Sequence, residues 1–114
     1  MSDCIFCKIV SKEIPAKIVY EDELLVAFHD ISPAAPTHIL VIPKEHIDSL
    51  KEVGPTQMQL LGHIHLSINK IAKELGLHDE GYRVVNNCGE LGGQTVQHLH
   101  FHLLGGRQMQ WPPG

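Results

Sequence analysis

Gln94-Thr95-Val96-Gln97-His98-Leu99-His100-Phe101-His102-Leu103-Leu104 is the stretch on which the reading of this chain turns. Its three histidines alternate with Leu99, Phe101 and Leu103. Side chains on a β-strand alternate between faces, so the spacing predicts a strand with the imidazoles on one face and an apolar stripe on the other. A helix would scatter the three rings around its axis. Each imidazole needs a hydrogen-bond partner, a ligand or water, so three on one face argue for chemistry rather than packing. Along a strand, residues two apart are separated by roughly 6.6 Å and residues four apart by roughly 13 Å. One small reacting group cannot engage all three closely. His100 is therefore expected to be central and His102 its neighbour, with His98 serving another task.

The rest of the chain bounds what that strand belongs to. With 114 residues, 43% of them hydrophobic, there is room for one domain with one modest core. A net charge of -4 argues against a nucleic-acid-coating surface and leaves a single anionic small molecule possible. Apolar runs are strand-sized, too short to span a bilayer, and Lys8 and Lys12 interrupt any secretory apolar core, so a cytoplasmic protein with no membrane association is expected. Cys4, Cys7 and Cys88 are an odd number of thiols, which favours metal binding or free cysteine over a disulfide framework.

Read in order, Ile5 to Ser11 suits a short amphipathic helix that stops before Pro15, within an N-terminal segment of residues 1–15. Ala16 to Tyr20 and Leu24 to His29 read as a hairpin, and Thr37 to Ile42 as a third strand ended by Pro43. Gly54-Pro55 opens one long helix in which Met58, Leu61, Ile64, Ile68, Ile71 and Leu75 recur at three and four, with Gly76 as its stop. His63 and His65 on that helix point about 200° apart and cannot share an ion. Tyr82 to Asn87 and Thr95 to Leu104 complete five strands around a Gly-rich turn, and residues 105–114 form a Gly- and Pro-rich tail. The pattern implies an α+β domain, an antiparallel sheet with a long helix covering one face. Gly92 and Gly93 permit close backbone approach, and exposed N–H groups there can cradle a phosphate.

The run His98-Leu99-His100-Phe101-His102-Leu103-Leu104 resembles the histidine-triad (HIT) nucleotide-binding family. Phe28-His29-Asp30-Ile31-Ser32-Pro33, Pro36-Thr37-His38, Gly92-Gly93-Gln94-Thr95-Val96 and Gly105-Gly106-Arg107-Gln108-Met109 through Trp111-Pro112-Pro113-Gly114 look like its Hint branch, and the resemblance runs nearly end to end. It implies a five-stranded HIT-like sheet and a purine nucleoside phosphoramidase working through a nucleotidyl-histidine intermediate, with no catalytic metal required. By matched position His100 is the nucleophile and His38 assists proton transfer. His102, Asn87, Gly93, Gln94 and Thr95 hold the phosphate, Thr95 also serving a possible proton relay. Asp30 takes the ribose hydroxyls, while Ile5, Phe6, Ile9, Phe28, His29 and Ile31 line the base pocket. The branch implies a homodimer whose sheets join, with Trp111 reaching toward the partner's site. Thr95 departs from the usual Ser but keeps the hydroxyl, and Gln110 departs from a His.

Cys4 and Cys7 are the larger departure from the animal members. Cys-x-x-Cys is half of a tetrahedral zinc site, and His46 and His98 are the candidates to complete it, as in some bacterial HIT proteins. Such a closed set implies a structural zinc that ties the N-terminal helix, and so the base pocket, to the strand while leaving the chemistry of His100 intact. Three rival readings stand beside this one: a dinucleoside polyphosphate hydrolase of the same family, a zinc hydrolase, and a non-catalytic nucleotide-binding or scaffolding module.

Overall fold

The computed structural model describes residues 3–114. Helix α1 (Ile5–Val10) is followed by strands β1 (Ile18–Glu21), β2 (Leu25–His29) and β3 (Thr37–Pro43). The long helix α2 (Met58–Glu74) comes next, and then β4 (Arg83–Val85) and β5 (Phe101–Gly105). The strands make one antiparallel sheet in the order β1-β2-β3-β5-β4. This is the expected α+β architecture of five strands, one long helix and a short N-terminal helix.

Period-two alternation sorts the strand residues. Leu25, Ala27, Ile39, Val41, Phe101 and Leu103 face α2 and pack against Ile64, Ile68, Ile71 and Ala72. Val26, Phe28, Leu40 and Ile42 face the other way, where Phe6 and Ile9 of α1 cover them. The sheet is therefore covered in part on its second face as well, a correction to the one-sided sheet expected above. Half-buried strands would have shown polar residues on one face, whereas β2 and β3 are apolar on both.

Helix α2 enters through a 3-10 turn at Pro55–Gln57 and ends before Gly76, whose φ of 80° is the left-handed stop expected of it. Met58, counted on the apolar face, is exposed at the first position of the helix. His63 lies against the β1–β2 turn, its Nε2 2.7 Å from Asp22 Oδ2. Burial would raise the Asp22 carboxyl, but the N–H groups of Leu24 and Leu25, Tyr20 and His63 together bring it down to about 2.

The histidine strand is shorter than expected. Regular pairing starts at Phe101, opposite Val41, so continuing that register would set Leu99 opposite Pro43. Proline has no N–H to give the ladder. Leu99 turns instead to the connecting segment, donating its N–H to Ile47 O at 2.6 Å. On the other side β4 stops at Val85, and the Asn86 side chain takes over, its Nδ2 donating to His100 O at 2.9 Å. His98 and His100 thus keep strand-like alternation while lying outside the ladder.

Candidate active site and metal centre

His98, His100 and His102 emerge on the α1 side of the sheet, since His102 pairs with Leu40 of that face. The Phe6 ring meets His98 and His100 edge-on, with centroids 5.9 and 5.2 Å away, and the His100 and His102 rings are 5.2 Å apart. The partners of each imidazole fix its protons. His100 Nδ1 is 2.7 Å from His98 O, and a carbonyl can only accept. His100 therefore carries its proton on Nδ1 and keeps a lone pair on Nε2.

His38 has the opposite arrangement. Ala34 N–H donates to its Nδ1 at 3.0 Å, so the neutral ring holds its proton on Nε2. That Nε2 lies 2.8 Å from His102 Nδ1 and 3.5 Å from Asp30 Oδ2. His38 donates to His102, which is left with its own proton on Nε2. Burial pushes the His38 pKa below its ordinary value, although Asp30 opposes the shift. Burial, and then the neighbouring His100 and His38, push His102 down to about 4, so both rings are neutral near pH 7. Asp30, His38 and His102 present ligand atoms within 4.8 Å of one another. A cation there would need the lone pair of His38 Nε2, forcing a proton onto Nδ1 against the Ala34 N–H. This arrangement can pass a proton and is poorly suited to holding a metal.

Phe28 is buried beside Phe6, their ring centroids 5.8 Å apart, and Ile9 is buried with them. Asp30 sits at the end of β2 and accepts Ser32 N–H at 2.7 Å. Ile5 and Ile31 are exposed beside this apolar floor, Ile31 at 97%, whereas His29, expected to line the same pocket, pairs with Ile39 and so lies on the α2 side of the sheet, a correction that follows from strand alternation. Trp111 is also exposed, on a tail tied down by Arg83 donating to Gln110 O and Arg107 donating to Ala34 O.

The Gly-rich connection between β4 and β5 borders the histidines. Gly93 has φ 83°, and a Cβ on Gly92 would run into the Cys88 backbone, so this turn needs both glycines. Asn87 Nδ2 donates to Gly92 O at 2.8 Å. The buried Gln94 amide is used within the scaffold: Nε2 donates to Asp48 O and Val96 O, and Oε1 accepts Gly89 N–H. Thr95 follows it and is exposed. Two contributors escaped the sequence reading, Asn86 and Asp48. Neither lies in a recognisable motif; each acts through a backbone contact that only the folded register brings about.

Cys4, Cys7, His46 and His98 gather at the other end of the triad, their ligand atoms within 4.8 Å of one another. Cys4 Sγ is 3.3 Å from His98 Nδ1, and Cys7 Sγ is 3.2 Å from His46 Nδ1 and 3.7 Å from His98 Nδ1. His98 Nε2–H donates to Pro43 O at 2.9 Å and His46 Nε2–H to Asp48 Oδ1 at 2.8 Å. Both Nδ1 lone pairs thus face the sulfurs, backed by the acceptors that typically orient metal-bound histidines. A Cys2His2 donor set of this kind fits tetrahedral zinc. Burial pushes the His98 pKa down, which also favours the neutral ligand form, and raises the Cys7 thiol, as does Cys4 beside it.

A family model described as the HIT domain matches residues 11–109. An uncharacterized HIT-like protein from Synechococcus elongatus is 58% identical over 112 residues, covering 98% of this chain and 97% of its own. A HIT family hydrolase from Legionella pneumophila superposes with a TM-score of 0.97 at 52% identity, covering 98% of this chain and 100% of that one. A histidine triad protein from Clostridium difficile gives 0.94 at 54% identity, with 96% of both chains covered.

Proposed function

Because this chain belongs to the HIT domain family, we propose that it is a hydrolase of purine nucleoside 5′-phosphoramidates, of the Hint branch, working through a nucleotidyl-histidine intermediate. The observation that carries this reading is the His100 tautomer, with Nδ1–H held by His98 O and the Nε2 lone pair left free. In the first step Nε2 attacks the α-phosphorus and the P–N bond to the amine breaks. The departing nitrogen takes a proton that originates in solvent, relayed through the Thr95 hydroxyl or through His38 Nε2 and His102 Nε2, each donor being reprotonated as it gives so that no imidazolate is left behind. Water then attacks the phosphorylated imidazole, releasing the nucleoside monophosphate and the free His100 ring. The side chains of His102, Asn87 and Thr95 stabilise the charge that develops on the phosphoryl oxygens, because the Gly93 and Gln94 N–H groups expected to cradle the phosphate are donated within the loop to Glu90 O and Gly89 O. Gln94 serves by holding that loop in shape.

Phe6, Ile9 and Phe28 form the floor of the base pocket, with Ile5 and Ile31 at its rim, and Asp30 accepts from the ribose hydroxyls. Cys4, Cys7, His46 and His98 would hold a structural zinc, which supplies a cross-link without an open coordination position. A homodimer joined through the free edge of β4 would bring Trp111 toward the partner's site; the edge position of β4 supports this. A cytoplasmic location fits three free thiols. No helix among the described residues is long and apolar enough to cross a membrane.

Mass spectrometry of the protein quenched during turnover of an adenosine 5′-phosphoramidate tests the reaction. A nucleoside monophosphate adduct on His100 is expected. Turnover without any adduct, abolished by removing metal, would point to the zinc hydrolase, and binding without turnover to the non-catalytic module. A chain that cleaves dinucleoside polyphosphates but not phosphoramidates would be the other hydrolase of the family.

A further inference from the structure

We propose that the Cys4, Cys7, His46 and His98 cluster, when loaded with metal, positions the nucleophile and the phosphate-facing loop, with His98 and Asp48 as the positioning residues. The proposal rests on the nucleotidyl-histidine reading and assigns the cluster a part in the rate of that reaction, not only in holding the base pocket.

His98 and His100 lie outside the sheet ladder, so a few individual contacts hold the segment that carries the nucleophile. Leu99 N–H donates to Ile47 O, Asn86 Nδ2 donates to His100 O, and the His98 ring makes the remaining tie. His98 acts at both ends. Its Nδ1 faces Cys4 and Cys7, while its carbonyl accepts the Nδ1–H of His100 and so decides which His100 nitrogen is free. That is the first arm from the cluster to the reacting atoms.

The second arm runs through Asp48. Its carboxylate accepts Nε2–H of His46, and its main-chain oxygen accepts from Gln94 Nε2. The same Gln94 amide spans the Gly-rich loop from Gly89 to Val96. One ligand therefore reaches the nucleophile through a carbonyl, and another reaches the phosphate loop through an exposed aspartate. Thiols are weak hydrogen-bond partners for the two Nδ1 atoms, so without a metal these three distant segments are loosely joined. A misplacement of roughly 1 Å at a catalytic group costs about a hundredfold in rate, and the partners behind metal ligands are worth roughly 10–100-fold.

The test compares zinc-loaded and chelator-stripped protein, with folding checked by circular dichroism. Stripping should lower kcat roughly tenfold or more while KM moves less than about threefold, and zinc should restore kcat. Nitrogen NMR of the His100 ring should show the proton on Nδ1 alone in the loaded protein and a mixture of tautomers in the stripped one. Asp48→Ala at saturating zinc should lower kcat roughly threefold and leave the His100 signal unchanged, and Asp48→Asn, which keeps an acceptor, should recover most of the loss. A protein that takes up no zinc overturns the proposal. So does a stripped, folded protein whose kcat and His100 signal are unchanged, or whose loss is confined to KM. If the loaded protein hydrolyses no phosphoramidate, the reaction assignment fails while the His100 signal still decides the coupling. If stripping unfolds the chain, the Asp48 pair decides, and wild-type kcat in Asp48→Ala overturns the proposal.

Discussion

Nε2 of His38 lies 2.8 Å from Nδ1 of His102, and the proton between them belongs to His38, because Ala34 N–H already occupies the other His38 nitrogen. A backbone amide therefore sets the direction of the His38–His102 hydrogen bond and leaves His102 with Nε2–H, its ring beside that of His100.

His38→Ala should remove the resupply of that proton. For a substrate whose amine leaves only when protonated, kcat should fall roughly 10²- to 10⁴-fold, the usual worth of general acid–base catalysis. For a leaving group that departs as a stable anion the loss should be much smaller. Stopped-flow rates on a series of leaving groups check this, and an equal loss across the series would exclude His38 from proton transfer.

His100→Ala removes the nucleophile and leaves the pocket, so turnover should drop to background while nucleotide affinity stays within a few-fold. Calorimetric titration with a nucleoside monophosphate, paired with an activity assay, separates the two. Hydrolysis at the wild-type rate would end the covalent mechanism.

Acid should destabilise the protein through His102. Its folded pKa is pushed down to about 4 from an ordinary 6.5, so between these values the unfolded chain binds a proton that the folded one refuses. Stability is fully present above about 6.5 and is lost as the pH falls through that window toward about 4. Burial shifts His38 and His98 in the same direction and adds to the loss. Melting temperatures measured across the window should fall with pH, and His102→Gln should flatten the slope. Equal slopes in the two proteins would remove His102 as the source.

Asp30→Ala should weaken nucleotide binding by about 1.5–3 kcal/mol, the worth of hydrogen bonds to a charged group. Because Asp30 Oδ1 also accepts Ser32 N–H, Asp30→Asn serves as the control that keeps an acceptor in the turn. An acyclic analogue without ribose hydroxyls should bind wild type and Asp30→Ala alike. If the wild type bound ribose and acyclic ligands equally, the ribose contact would be absent.

The alternation of the triad was legible in sequence because side-chain direction alternates along the segment from His98 to His102, with Leu99 and Phe101 in the α2-side core and the histidines opposite, even where the ladder does not reach. The end of the ladder was not legible. Pro43 ended its own strand as expected, but its effect on Leu99 depends on a register between strands some sixty residues apart, which periodicity does not encode. The same limit hid Asn86 and Asp48, whose contacts join a side-chain amide of one segment to a backbone carbonyl of another. Gln94 was visible as a polar residue beside glycines, yet nothing in its neighbours told that its amide would be spent on three backbone atoms. For the Cys-x-x-Cys pair metal chemistry asks only for two more ligands, and the choice of His46 and His98 among nine histidines rests on their places in the chain and on the resemblance to bacterial HIT proteins.

Phe6 offers the sharpest test of how α1 serves the site. Its buried ring touches Phe28, His98 and His100 at once, so it fills the base-pocket floor and braces the nucleophile. Phe→Ala in a packed core costs about 3–5 kcal/mol, and a short helix near the chain terminus can settle into part of the space, which places this site near the lower figure. The urea midpoint of Phe6→Ala should fall accordingly with the slope unchanged, and Phe6→Leu, which keeps most of the apolar volume, should lose about half as much. Nucleotide affinity should fall in the same order, since both variants thin the floor on which the purine would rest. A Phe6→Ala protein within about 0.5 kcal/mol of wild type, the range of an ordinary surface substitution, would mean that α1 is not docked on the sheet in solution.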